Sequence, residues 1–137
     1  MTYKEALQKF GLPASAKYRD DIRHLLEAET EQECREEGQE EILRTLCVQL
    51  FSIGEVEDAL LIWRAKRSSF DMWCGLDIQF LCGAGLEATK MFLATVDTLE
   101  ATKALDYLIS CEQGGNFKDW SPQKTLAFHR RYYHLDG

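Results

Sequence analysis

Apolar side chains recur at intervals of three and four residues along most of the chain, with polar residues between them, and that period predicts amphipathic helices. Tyr18, Ile22, Leu25 and Leu26 make one such stripe, opposite Arg19, Asp20, Asp21 and Arg23. Ile42, Leu43, Leu46, Cys47, Leu50 and Phe51 make a denser one. Val56, Ala59, Leu60, Ile62 and Trp63 form a third, and Ala101, Leu105, Tyr107 and Leu108 a fourth. Nine glycines and two prolines are too few for the turns of an all-β chain.

The punctuation sets the predicted boundaries. Thr2 caps a first helix reaching Phe10, with Glu5 completing a capping box, and Gly11 and Pro13 stop it. Ser15 caps the second. A third segment runs from Glu31 to Ile53, polar at first and then amphipathic, with Gly38 as its true start or a kink. Gly54 ends it. Further helices are predicted over 55–66, 70–82, 86–93 and 99–111, and from Ser121 and Pro122 to about 134. Glu57 and Asp58 suit the positive end of the 55–66 dipole, and Arg64, Lys66 and Arg67 its negative end. The expected fold is one all-α domain of about seven to eight helices, built as stacked antiparallel helical hairpins.

Gly54, Ala59 and Trp63 recur 29 positions later as Gly83, Ala88 and Phe92, and Phe51 recurs as Phe80. A turn glycine, a small residue and an aromatic suit one hairpin stacked on another. In residues 43–66, Leu43, Leu46, Cys47 and Leu50 followed by Gly54, Val56, Ala59 and Trp63 resemble a tetratricopeptide-type unit. The resemblance covers about one unit and implies an α-α hairpin scaffold that binds proteins.

Charge narrows the partners. The formal net charge of −7 repels phosphate backbones and anionic lipid surfaces, so neither nucleic acid nor membrane is expected as a partner. The five cysteines form no CxxC pair, and no apolar run has the length of a signal peptide or membrane span. Buried free thiols and a cytoplasmic location are the expectation.

Residues 27–41 hold eight glutamates and one arginine, a balance equal to the charge of the whole chain. Glu33, Glu37 and Glu41 repeat every four residues, so on one helix they repel one another. A ladder of this kind makes functional sense when a basic protein docks on it, and Glu33, Glu36, Glu37, Glu40 and Glu41 are its candidate contacts. A solvated helix face is the plain alternative. Trp73, between Asp71 and Asp77, is a candidate ligand platform or a core residue, and Asp71 a candidate cap. The C-terminal mixture of Trp120, Phe128, Tyr132 and Tyr133 with Lys124, Arg130 and Arg131 has the texture of a nucleic-acid or acidic-peptide surface, or supplies a docking face through Leu126, Phe128, Tyr132 and Tyr133.

No phosphate loop, dinucleotide pattern or calcium loop occurs, and neither a cofactor nor a metal is expected. The predicted function is an interaction module that presents an acidic face to a basic protein, in a narrower version an immunity-type inhibitor masking a basic toxin. The rival readings are a small hydrolase or transferase with a cleft near residues 71–77, and a structural subunit of a homo-oligomer.

Overall fold

Each predicted helix finds a counterpart in the computed structural model, which describes residues 1–135. The α-helices run α1 (Tyr3–Phe10), α2 (Arg19–Cys34), α3 (Glu40–Ile53), α4 (Ala59–Lys66), α5 (Phe70–Gly75), α6 (Leu86–Thr95), α7 (Leu99–Gln113) and α8 (Pro122–Tyr132). Short 3-10 turns at 16–18, 56–58 and 78–82 complete the set. Among the described residues there is no strand, and no helix is long and apolar enough to cross a membrane.

Caps begin and end these elements as their side chains dictate. Thr2 Oγ1 accepts from the Glu5 amide while Glu5 Oε1 accepts from the Thr2 amide, satisfying two orphan donors at the start of α1. Thr98 and Ser121 accept from the third residue of α7 and α8 in the same way. Gly54 closes α3 at φ +85, a conformation that penalises any Cβ.

α3 is the central element. Leu43, Leu46 and Leu50 are all but inaccessible, each contributing roughly 2 kcal/mol by burial. The helix packs against α1, α2, α4, α5, α8 and the 78–82 turn. α2 with α3 and α6 with α7 are helical hairpins. Gln49 locks α1 onto α3, its Nε2 donating to the carbonyls of Ala6 (2.9 Å) and Gly11 (3.1 Å).

Several boundaries depart from the sequence reading. The 31–53 segment is two elements: α2 runs through Cys34, and residues 35–39 separate it from α3. The break falls where Glu36 takes a left-handed φ of +62. The 55–66 and 70–82 helices each split as well, into a 3-10 turn plus α4 and into α5 plus a 3-10 turn, and Ser15 caps a 3-10 turn ahead of α2.

Two charges assigned to a helix dipole lie inside instead. Asp58, 1% exposed, accepts two hydrogen bonds from Arg19 at 2.9 and 3.1 Å. Arg23 Nε sits 3.1 Å from the same carboxylate, outside hydrogen-bond geometry, so its contribution is Coulombic. Lys66, 4% exposed, donates to the carbonyls of Trp73 (2.7 Å) and Leu76 at the end of α5, and its ammonium lies 4.7 Å from the Trp73 ring centre. Periodicity cannot distinguish such a buried, satisfied charge from a solvated one.

The 29-residue echo brings two of its pairs into contact. The Phe51 and Phe80 rings meet edge to face at 5.4 Å, and Gly54 faces the Gly83 carbonyl. Their roles differ, because Gly83 has φ −60 and is small for another reason: a Cβ there would run into the Phe51 backbone carbonyl. Ala59 is buried, whereas Ala88 is exposed and its neighbour Thr89 takes the inner position.

Candidate functional site

The acidic segment is shaped by the α2–α3 connection. The Arg35 amide closes α2 onto the carbonyls of Glu31 and Gln32, Glu36 reverses the chain, and α3 restarts at Glu40. The expected ladder of Glu33, Glu37 and Glu41 on one helix does not form, since these residues lie on α2, on the connection and on α3.

Glu33 turns inward. It is 7% exposed, Ser69 Oγ donates to its Oε2 at 2.7 Å, and Gly38 lies close over it. It is therefore not a surface contact. Glu36, Glu37 and Glu41 face solvent and Glu40 is half-buried. Burial and the neighbouring Asp71 hold the Glu40 carboxyl above its ordinary range, against the pull of Arg44 at 3.4 Å. Among the described residues, Glu27, Glu29, Glu31, Glu36, Glu37 and Glu41 take part in no ion pair.

Trp73 is held in an aromatic cluster with Trp63 (5.9 Å, edge to face) and Tyr107 (4.7 Å), below the Lys66 ammonium. Its half-buried ring is engaged in packing α5 against α4 and α7. Asp71 is not a cap: Ser69 Oγ accepts from the Met72 amide and fills that role. Asp77 accepts from the Gln79 amide and caps the 78–82 turn. Among the described residues no histidine hydrogen-bonds a carboxylate, and no cluster of three metal-ligating side chains occurs.

The cysteines are not uniformly buried as the sequence reading expects. All are free, with Cys47 and Cys82 inside, Cys111 half-buried, and Cys34 and Cys74 exposed. Burial raises both interior thiols, Cys82 to about 12, which leaves them protonated and inert.

A second surface feature, absent from the sequence expectation as a cavity, begins at Glu41 and continues along α3. A groove of about 900 Å³ opens between α1, α3, the end of α5 and α8. Tyr3, Phe80, Phe128, His129, Tyr132 and Tyr133 furnish its rings, and Arg44 and Lys4 its cations. Tyr133 OH and Thr45 Oγ1 share a hydrogen bond of 2.9 Å across it.

α8 docks through Thr125, Leu126, His129 and Tyr133, a spacing of one, three and four. Phe128 and Tyr132, expected on the docking face, are instead 56% and 66% exposed. His129 lies edge-on to Phe80 at 4.8 Å with Nδ1 3.0 Å from the Thr125 carbonyl. A carbonyl only accepts, so Nδ1 carries the proton and Nε2 keeps a lone pair. Burial depresses the imidazole below its ordinary value and favours that neutral form.

No family model, curated protein or solved structure matches this chain.

Proposed function

We propose that the protein is an interaction module whose glutamates Glu36, Glu37 and Glu41, all exposed, and the half-buried Glu40 engage a basic protein partner. One observation carries the reading: the glutamates of residues 27–41 run from α2 across the connection into α3, and Glu36, Glu37 and Glu41 take part in no ion pair among the described residues. Unpaired carboxylates at this density repel one another, and a basic surface removes that repulsion on binding. The field of a chain with net charge −7 also speeds the encounter with such a partner and disfavours polyanions. The acidic residues lie on the α2–α3 hairpin, anchored to the core through Leu43 and Leu46, so the module presents them with little entropy left to lose.

Replacing Glu36, Glu37, Glu40 and Glu41 by lysine tests the assignment. Affinity for a folded basic protein should fall by about tenfold or more at low salt, with helicity by circular dichroism unchanged. Unaltered affinity in a folded variant rejects it.

A further inference from the structure

We propose that the groove between α1, α3 and α8 is a small-molecule site for a planar aromatic acid, a ring bearing a carboxylate or sulfonate. Its volume of about 900 Å³ accommodates an organic ligand of one or two rings. The walls suit a ring, because Phe128 and Tyr132 stand exposed at the mouth while Phe80 and Tyr133 line the floor.

The charge suits an anion. Against a strongly acidic chain, this groove gathers the guanidinium of Arg44 and the ammonium of Lys4, with Glu41 as its one lining carboxylate. Arg44 is held beside the end of α5, where Gly75 leaves room for it: a Cβ there would lie 2.8 Å from Nη1. Its intramolecular partner, Glu40, is 3.4 Å away on the same helix and a third exposed, a weak, solvent-screened pair that a ligand anion displaces. Lys4 has no ion pair among the described residues.

Polar groups complete the recognition. The lone pair on His129 Nε2 accepts a hydrogen bond from a ring hydroxyl or amine, and the Tyr133 hydroxyl, whose proton goes to Thr45 Oγ1 because Thr45 donates to the Glu41 carbonyl, offers a second acceptor. The site adjoins the acidic segment, because Glu41 lines the groove and Glu40 pairs with Arg44, while Glu36 and Glu37 lie outside it.

The test is titration of the full chain with 8-anilino-1-naphthalenesulfonate, an aromatic sulfonate whose fluorescence rises on apolar burial, beside the neutral 1-aminonaphthalene. One saturable site should appear, and the ligand should raise the urea midpoint, as binding to the folded state requires. Arg44→Gln should weaken it about fivefold or more while Arg44→Lys retains most of the affinity, and Phe128→Ala should weaken it with the fold intact. Glu36→Gln with Glu37→Gln should leave it unchanged, so this site and the acidic face can fail separately. Equal affinity for the neutral amine, unsaturable binding, a lowered urea midpoint, or indifference to both Arg44→Gln and Phe128→Ala overturns the proposal. Preference for an acidic peptide over both naphthalenes also overturns it, by assigning the groove to a protein ligand.

Discussion

The acidic segment and the aromatic groove meet at Glu41 on α3 and differ in the elements that surround them. Glu36 and Glu37 face solvent on the connection before α3, whereas Arg44 and Thr45 face α5 and α8 and form the wall of a cavity that Glu41 borders. The difference arises from neighbours rather than from α3 itself. At the helix start Glu41 stays exposed without an ion pair and Glu40 has only Arg44; where α8 crosses, the same helix gives Tyr133 an acceptor in Thr45 and contributes a guanidinium to a recess. A single scaffold thereby carries two surfaces of opposite sign, each legible only once the neighbouring element is known.

The largest effect should come from removing the support common to both. Gly83→Ala sets a Cβ against the Phe51 carbonyl, where backbone meets backbone, and should cost about 2–3 kcal/mol in urea denaturation. Both surfaces should weaken together. Charge reversal at Glu36 and Glu37, which lie outside the groove, should separate them: affinity for a basic protein falls several-fold, and binding in the groove is retained. Tyr133→Phe should cost about 1 kcal/mol, the worth of its bond to Thr45, and act on the groove alone.

The smallest effect, in pH, should have opposite signs in the two regions. Burial lowers His129 below 6.5, so the unfolded imidazole takes up its proton first and stability falls as pH drops below 6.5 toward the folded value. Glu40 is raised above 4.5, so the folded carboxyl takes up its proton first and stability gains as pH falls through the folded value toward 4.5. Denaturation midpoints across that range for His129→Gln and Glu40→Gln should each lose one of these slopes.

Much of the helical order was readable from caps and periods. Thr2 with Glu5, Gly54, Thr98 and Ser121 with Pro122 all act at the positions where their chemistry suits them. What failed was continuity: glutamates from 31 to 41 match a helical run in composition, but a left-handed Glu36 and a glycine packed on Glu33 divide them. The inward turn of Glu33 depends on Ser69, 36 positions away, and no local pattern reports it. Nor does the period of α8 reveal the groove. It marks Phe128 and Tyr132 as apolar and therefore docked, yet the helix is rotated so that Thr125 and His129 pack and those two rings remain at the mouth. Asp58 and Lys66 show the same limit, as charges whose partners come from other elements.

The account turns on the carboxylates of residues 36–41 acting as a contact rather than as a solvated edge. Calorimetric titration of a lysine- and arginine-rich peptide into the full chain, at about 50 and about 300 mM salt, tests this most directly. The account predicts binding that weakens with salt, is lost when Glu36, Glu37, Glu40 and Glu41 are all changed to glutamine, and survives Arg44→Gln. Binding of equal strength and equal salt dependence in the glutamine variant would contradict it.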